Sequence, residues 1–388
     1  MRLLFRLLYL LLLLNFGISS CTKSDLSTGS SSISADIVST VSSGGNNGGT
    51  QNAGVLTAGE WNDFDNWPFW EGLMANDTFK SFQPKWGFYT NEKWSFTIKD
   101  AIQQPVPDAG VSILSNGIVL WQGKTNRFGI LNLLPTILSS ALQINMQYTV
   151  TYNGQAFTSG TLNTIDRNIE VTLPINITPV LNVDLMFVVD ATGSMGDEIT
   201  YLKTELLDVL NRSDNQVQGT MRYASVFYRD LGDDYLTRVT DFTTSKTTIV
   251  DFVKNQNANG GGDTPEAVEE ALKAAMQQNW SVNARARILF LILDAPPHED
   301  QQKLNVVREQ VKLAAAKGIM LIPVTASGID KASEFLFRFM AQGTNATYTF
   351  LTNHSGIGNS HLTPTVGSYQ VEFLNNLMVR LITKYGGN

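Results

Sequence analysis

The chain has 388 residues, with 28 lysines and arginines against 35 aspartates and glutamates, which gives a formal net charge of −7. A negative balance of this size disfavours nucleic acid as a partner, because binding to phosphates needs clustered positive charge. Cys21 is the only cysteine, so the chain cannot form an internal disulfide.

Residues 1–20 have the pattern of a secretory signal peptide. Arg2 and Arg6 precede a leucine-rich core, and small residues lead to Cys21. A membrane-spanning helix would need about 20 apolar residues, and polar residues already begin here at Asn15. The sequence Ile-Ser-Ser-Cys at residues 18–21 resembles the bacterial lipobox. An ordinary signal peptide followed by a chance cysteine is the alternative interpretation.

The lipobox resemblance implies that Cys21 becomes the lipidated first residue of the mature chain. Several acyl chains on one residue anchor a protein firmly, at roughly 0.8 kcal/mol per buried methylene. We therefore expect a lipoprotein of the bacterial cell envelope, anchored to the outer membrane and either periplasmic or surface-exposed.

Two segments of contrasting composition follow. Residues 21–56 are rich in serine, glycine and asparagine, which predicts a disordered, flexible tether. Residues 57–92 are instead rich in aromatic side chains, and we interpret them as a connecting segment packed against a neighbouring domain. An exposed platform for stacking a ligand is the alternative. The aromatic residues concerned are Trp61, Phe64, Trp67, Phe69 and Trp70.

Residues 93–180 show short alternating apolar runs rather than a helical period. Turn signals such as Asn116-Gly117 and Asn153-Gly154 separate these runs, which predicts a small all-β sandwich. The turn at residues 125–129, Thr-Asn-Arg-Phe-Gly, resembles one in the carboxypeptidase-regulatory, transthyretin-like family. That resemblance implies a spacer or binding unit. We see no catalytic constellation in it.

Residues 183–386 alternate apolar strands with amphipathic helices. This pattern predicts an α/β domain with a doubly wound, mostly parallel, Rossmann-like sheet and helices on both faces. The predicted strands are 185–189, 221–228, 236–242 at an edge, 288–293, 319–325 and 347–351. The first predicted helix begins near residue 199, and the later helices cover 247–254, 265–278, 304–317, 331–340 and 369–384. Ligands of such sheets bind at the carboxyl ends of the strands.

Oxygen-bearing side chains cluster at these predicted strand ends. Asp190, Thr192 and Ser194 follow the first strand, spaced two residues apart, and Asp294 follows the strand at 288–293. Thr264 comes directly after Gly260-Gly261-Gly262-Asp263, at the predicted start of a helix. Hard divalent cations such as Mg²⁺ prefer oxygen ligands, so the pattern indicates a metal site.

The Asp-x-Thr-x-Ser loop and the two later loops resemble the metal-ion-dependent adhesion site (MIDAS) of von Willebrand factor A (vWA) domains. The resemblance implies that Asp190, Thr192, Ser194, Thr264 and Asp294 hold Mg²⁺, or Mn²⁺ or Ca²⁺, with the carboxylates bound directly or through water. Asp263 is a possible replacement for Thr264 or an assistant to it.

The same resemblance implies a function without catalysis. An open position on the metal would take an aspartate or glutamate of a protein ligand. The expected protein is therefore a membrane-anchored adhesion lipoprotein that binds no nucleotide. Two neighbouring residues are expected to play no part in ligation: Glu266 beside a helix N-terminus, and His298 in a nearby loop.

Four alternatives remain open from the sequence. Asp190 could be a helix N-cap, and the glycine run could hold a phosphate, although no Gly-Lys-[Ser/Thr] follows it. Ser194 could be a hydrolase nucleophile, but its frame is Gly-Ser-Met-Gly, and only His298, His354 and His361 could serve as a base. The domain could also be an accessory or regulatory subunit of an envelope complex. A partnership with an ATPase is disfavoured by the expected anchor, since ATP is absent outside the cytoplasm.

Substitution of Cys21 tests the lipid anchor. We expect Cys21→Ser to release the protein from membranes, because the acyl chains would lose their attachment point. Membrane fractionation and detection of the protein in the soluble fraction measure this. Continued membrane retention of a signal-cleaved Cys21→Ser protein would contradict lipid anchoring.

Overall fold

The computed structural model of the chain describes residues 56–141, 143–162, 165–178, 180–356 and 360–387. The predicted signal peptide, Cys21 and the predicted tether up to residue 55 lie outside this part. The described residues belong to one compact unit, so the predicted boundaries between separate domains stay predictions. No helix in the described ranges has the length and hydropathy needed to cross a membrane.

The described chain contains fifteen strands and nine α-helices. The strands are β1 (Thr57–Trp61), β2 (Trp94–Lys99), β3 (Gly110–Ser115), β4 (Ile118–Lys124), β5 (Ile130–Leu133), β6 (Met146–Tyr152), β7 (Gln155–Thr161), β8 (Asn168–Thr172), β9 (Val183–Asp190), β10 (Met221–Tyr228), β11 (Thr237–Thr243), β12 (Ala286–Leu293), β13 (Ile319–Thr325), β14 (Tyr348–Thr352) and β15 (Glu372–Phe373). The helices are α1 (Trp67–Met74), α2 (Asp77–Lys80), α3 (Phe82–Trp86), α4 (Gly196–Asp214), α5 (Lys246–Lys254), α6 (Val268–Met276), α7 (Gln301–Lys317), α8 (Lys331–Gly343) and α9 (Leu374–Gly386).

A central sheet of eight strands organises the molecule. Its order is β11-β10-β9-β12-β13-β14-β1-β15. The five strands that run parallel are β10, β9, β12, β13 and β14. Every residue of β9, β12 and β13 is buried, as expected for apolar strands covered on both faces. The predicted mostly parallel α/β fold is confirmed, and the strand predicted at an edge is β11, which pairs antiparallel with β10.

The strands predicted between residues 93 and 180 are also present. They form a three-stranded sheet, β5-β2-β8, and a four-stranded sheet, β4-β3-β6-β7. Phe96 of β2 contacts Tyr148 of β6 with ring centroids 5.3 Å apart, so the two sheets pack against each other. Asn116, Gly117, Asn153 and Gly154 all have positive φ, as two-residue hairpin turns of the predicted type require.

The predicted connecting segment, residues 57–92, needs a correction. Its first five residues are β1, which pairs antiparallel with β14 from Thr57 opposite Thr352 to Trp61 opposite Tyr348. A Cβ on Gly59 would lie 2.7 Å from the ring of Phe350, so this close approach requires glycine. The two small sheets are therefore inserted between β1 and β9 of the central sheet.

The aromatic part of this segment is packed into the interior, as the connecting interpretation expected. Trp70 is fully buried, and its ring lies 5.6 Å from that of Phe335 on α8. Trp61 and Phe64 are also buried, whereas Trp67 is half-buried and Phe69 is exposed. Three of the five rings are therefore packed inside the protein and cannot stack a ligand at the surface.

Two predicted helix starts are wrong. Helix α6 begins at Val268 rather than at Pro265, because the backbone N–H of Glu266 donates to the carbonyl of Pro296 at 3.0 Å. Helix α9 begins at Leu374 rather than at Tyr369, because residues 372–373 pair with β1. In both places a tertiary backbone contact prevents the first helical turn.

A buried ion cluster joins the aromatic segment to α8. The guanidinium of Arg338 is fully buried and donates to both carboxylate oxygens of Asp63, at 2.6 and 3.1 Å. It also lies 3.4 Å from a carboxylate oxygen of Glu334, and 4.6 Å from the ring centre of Trp70. The cluster connects chain segments far apart in sequence.

Arg338→Leu should destabilise the protein by about 3–5 kcal/mol, because it leaves the carboxylate of Asp63 buried without a counter-charge, whereas Glu334 keeps Lys331 at 2.9 Å. Urea denaturation of the variant and the parent chain measures the free energy of unfolding. Arg380→Leu is the matched control, since Arg380 pairs with Glu60 and Glu372 at the surface and should cost about 0–1 kcal/mol. Equal decreases in the free energy of unfolding of the two variants would contradict the stabilising role of the Arg338 cluster.

Candidate metal centre

The topology places two of the predicted carboxylates at one edge of the central sheet. Strands β9 and β12 are parallel neighbours, with Val189 opposite Ile292. Asp190 is the last residue of β9, and Asp294 directly follows β12. Both side chains therefore leave the sheet at the carboxyl end of adjacent strands.

The loop after β9 is folded around the Asp190 carboxylate. Oδ1 of Asp190 accepts the backbone N–H of Thr192 at 2.9 Å and its hydroxyl at 2.7 Å. The hydroxyls of Thr192 and Ser194 lie 3.5 Å apart. Asp190 is fully buried, yet its Oδ2 has no close hydrogen-bond partner among the described residues, although the Tyr228 hydroxyl lies near enough to act on this carboxylate. A buried carboxylate oxygen without a partner is costly unless a ligand compensates it.

The glycine run brings the second loop against the first. Gly260, Gly261 and Gly262 all have positive φ, a backbone region that favours glycine. The N–H of Gly193 donates to the carbonyl of Gly260 at 3.1 Å. The N–H of Gly261 donates to Asp233 at 2.9 Å. The run is thus a specific turn held beside the Asp190 loop.

The predicted site residues share one solvent-open cavity. Its lining includes Thr192, Ser194, Asp263, Thr264 and Asp294. Ser194, Asp263 and Thr264 are exposed, whereas Asp294 is buried. Asp190 lies behind the cavity wall and contacts it through Thr192. The structure therefore brings the three loops together, while the metal-binding role of each residue stays a prediction.

Burial raises the pKa of the carboxylates in this region. It raises the pKa of Asp190 to about 7, and the charge of Asp294 adds to the shift, while Thr192 and the nearby Tyr228 hydroxyl oppose it. Burial also raises the pKa of Asp294, and the Ser194 hydroxyl opposes that rise. The pKa of Glu266 rises to about 8 through burial and then the charge of Asp190. These raised pKa values mean that the ionised carboxylates are unfavourable here without a counter-charge, which a bound cation would supply.

Glu266 occupies a different position from the one expected. It lines the cavity, and its Oε2 is buried without a hydrogen-bond partner in the described chain. The bridge between Glu266 and Pro297 turns this residue toward the site. No local signal in the sequence shows that bridge, because it joins two loops.

Glu198 is a second carboxylate that sequence reasoning missed. It is buried in the first turn of α4, and burial raises the pKa of Glu198 to about 7, with the charge of Asp294 adding to the shift. Its spacing of four residues from Leu202 places it on the apolar face of α4, and that pattern could have revealed it.

The histidines do not support a hydrolase. His298 lies beside the cavity, as expected for a loop residue, with Nδ1 3.0 Å from Glu269 and Nε2 3.3 Å from Asp230. His361 contacts Asn353. Within the described ranges, no histidine is a hydrogen-bond partner of Ser194. The arrangement of base and nucleophile that catalysis requires is not formed there.

The donor set fits a hard cation through hydroxyls and carboxylates together. No group of three or more His, Cys, Asp or Glu side chains placed to hold a metal occurs in the described part of the chain. The predicted set has another composition, with two carboxylates and three hydroxyls. Such oxygens suit Mg²⁺, which keeps several waters and needs few charged ligands.

Part of the chain is similar to known proteins. Residues 184–361 match the family model of the von Willebrand factor A domain. An ariadne-like RING finger protein of Acanthamoeba polyphaga mimivirus is 34% identical over 130 residues, which cover 33% of this chain and 12% of that protein. The alpha-protein kinase vwkA of Dictyostelium discoideum is 32% identical over 124 residues, covering 30% and 19%. The chain thus spans less than a fifth of the length of these curated relatives.

Solved structures also resemble the chain, at low similarity. BatB from Bacteroides thetaiotaomicron has 14% identity and a TM-score of 0.36, over 52% of this chain and 96% of that one. A von Willebrand factor type A protein from Catenulispora acidiphila has 12% identity and a TM-score of 0.37, over 73% and 51%. The pilus adhesin SpaC from Lactobacillus rhamnosus GG has 11% identity and a TM-score of 0.36, over 53% and 30%. The resemblance of residues 93–180 to the transthyretin-like family stays a prediction.

Gly260→Ala tests whether the glycine turn is built around the site. Gly260 has φ +79°, and an added Cβ would collide with the Asp233 carboxylate that holds the turn. Gly117 has the same φ of +79°, but its added Cβ would meet nothing within 4 Å. Each variant carries the backbone strain, about 1–2 kcal/mol, and only Gly260→Ala adds the collision. We expect Gly260→Ala to lower the melting temperature more than Gly117→Ala, and equal decreases would contradict this account of the turn.

Proposed function

We propose that this protein binds a divalent cation at the cavity and uses it to recognise a protein ligand through an acidic side chain. Mg²⁺ is the expected ion, with Mn²⁺ or Ca²⁺ as substitutes. The observation that carries the proposal is the open cavity lined by oxygen-bearing side chains beside the buried, unpartnered Oδ2 of Asp190. The vWA match over residues 184–361 supports it.

Five side chains would hold the ion. Ser194 and Thr264 offer exposed hydroxyls in the cavity, and Thr192 offers a third at its wall. Asp294 lines the cavity and Asp190 lies behind it, so they would act directly or through water. Asp263 also lines the cavity and is the possible substitute for Thr264.

The donor set leaves room for an outside ligand. Two carboxylates roughly balance the charge of a dication, and together with three neutral hydroxyls they offer five oxygens, so one position of a six-coordinate ion stays open to water or to an outside ligand. Because the cavity is open to solvent, a carboxylate of another protein can reach that position. Chain residues would then do no more than bind and orient, which is an adhesive rather than a catalytic role.

The proposed setting is the bacterial cell envelope. Lipidation at Cys21 would hold the protein on the outer membrane, with the ligand-binding part either in the periplasm or at the surface. This half of the proposal comes from the lipobox resemblance and is tested by the Cys21→Ser variant.

Metal addition should raise the melting temperature of the chain. Mg²⁺ or Mn²⁺ at about a hundredfold excess over its dissociation constant would add about 2.7 kcal/mol to the free energy of unfolding. Differential scanning calorimetry with and without EDTA measures the increment. Asp190→Ala should abolish it.

Two further variants distinguish loss of metal binding from loss of folding. Thr264→Ala changes an exposed side chain, so it should fold normally and still reduce the metal increment. Asp208→Ala removes a carboxylate on the exposed side of α4 and should leave the increment unchanged. A parent chain whose melting curve is the same in EDTA and in excess metal would overturn the proposed site.

A further inference from the structure

We infer that the protein partner of this site presents its coordinating carboxylate within a positively charged surface. The inference rests on the proposed function and adds the chemistry of the partner. It comes from the charge of the loops that surround the cavity, called here the site rim. The rim consists of residues 190–197, 229–236, 255–267, 294–300 and 326–330.

The site rim is strongly acidic. It contains eleven aspartates and glutamates, and its only lysine or arginine is Arg229. The acidic residues are Asp190, Asp197, Asp230, Asp233, Asp234, Asp263, Glu266, Asp294, Glu299, Asp300 and Asp330. The whole chain has a net charge of −7, so the rim is more negative than the average surface of the protein.

Cations of the chain offset only part of this charge. Arg229 lies 3.7 Å from Asp234, and Lys85 lies 2.8 Å from Glu299. Asp197 and Asp263 are exposed and form no ion pair within the described ranges. Both local pairs leave a carboxylate largely in solvent, where the field of the remaining charges still reaches an approaching protein.

Two buried carboxylate oxygens without a close partner among the described residues add to this charge, one from Glu266 in the cavity lining and one from Asp190 behind it. Asp190 is fully buried and Glu266 is 4% exposed, and one carboxylate oxygen of each has no hydrogen-bond partner in the described chain. A single divalent ion compensates two charges, so most of the rim charge would remain.

A second metal site does not explain the acidic residues of the rim. Asp233 uses its Oδ2 to accept the backbone N–H groups of Asp230 and Gly261, which fixes the turn. Asp300 and Asp330 cap the N-termini of α7 and α8 by accepting backbone N–H groups. Among the described residues, no group of three metal-ligating carboxylates is formed. The rim is therefore a charged surface around one site.

The rim also faces away from the inserted sheets. Arg287, near the start of β12, donates to Asp108 ahead of β3 at 2.8 and 3.1 Å. This contact lies at the amino end of β12, whereas Asp294 follows its carboxyl end. The inserted sheets thus leave the site end accessible to a large partner.

Electrostatics then determine which carboxylate can bind. An acidic ligand surface would be repelled by the rim before it reached the metal. A lone glutamate or aspartate among lysines and arginines would be attracted by the rim and coordinated at the centre. The metal would select for a carboxylate, and the rim would select for positive charge around it. Specificity then comes from attraction of basic surfaces and from repulsion of acidic ones.

Synthetic peptides of equal length test the inference with the full chain loaded with Mn²⁺. One peptide has a central glutamate flanked by lysines, a second has it flanked by serines, a third has it flanked by aspartates, and a fourth has glutamine among lysines. We expect the lysine-flanked glutamate to bind about tenfold more tightly than the serine-flanked one at low salt, with a smaller ratio at physiological salt. The glutamine peptide should lose the EDTA-sensitive part of the binding.

Matched variants locate the effect. The rim variant carries Asp197→Asn, Asp234→Asn and Glu299→Gln, all at exposed positions. The control variant carries Asp166→Asn, Glu170→Gln and Asp208→Asn, which change the net charge equally at exposed positions outside the rim. The lysine preference should fall in the rim variant and persist in the control variant.

The outcomes separate this inference from the proposed function. If calorimetry shows that Mn²⁺ binds but the lysine-flanked glutamate binds no better than the serine-flanked one, or neither binds, the inference is overturned and the metal site stands. An equal loss of preference in the rim and control variants also overturns it. If Mn²⁺ itself does not bind, the proposed function fails and the inference fails with it.

Discussion

A buried carboxylate with one unpartnered oxygen is the constraint around which the site is arranged. Asp190 is fully buried, and the Thr192 loop satisfies only its Oδ1. Strands β10 and β12 pair with β9 on its two sides, so β9 is open only at its end. Asp190 is the last residue of β9 and lies at that end. Burial of charge without compensation is unfavourable for folding. The fold tolerates it next to an open cavity, where a cation and water can enter.

Sequence predicts the parallel strands well because their burial is a local property. Strands β9, β10, β12 and β13 each contain a mainly apolar run, so each is recognisable without its partners. Asp190 and Asp294 are recognisable for the same reason, since each directly follows such a run. The hydroxyls of Thr192 and Ser194 follow from their spacing after Asp190. The shared cavity was therefore predictable to the extent that parallel strands end at one edge.

Features fixed by distant partners were not predictable in this way. Strand β1 has the sequence Thr-Ala-Gly-Glu-Trp, which lacks an apolar run, and its place depends on pairing with β14 almost three hundred residues later. Glu266 looked like the companion of a helix start, and only the bridge to Pro297 turns it into the cavity. The Arg338 cluster likewise needs Asp63 from another segment. Each case depends on a backbone or ion contact that composition and periodicity do not encode.

The position of β1 also changes how the inserted sheets relate to the site. Thr57 pairs with Thr352, the last residue of β14, so the described chain begins near the carboxyl end of the parallel strands. Asp190 and Asp294 leave the sheet at that same end, while the Arg287–Asp108 contact joins the inserted sheets to the opposite end. The inserted sheets are thus not a spacer placed in series between β1 and the site. They brace the far end of the central sheet, and the acidic rim remains the surface that a partner would meet first.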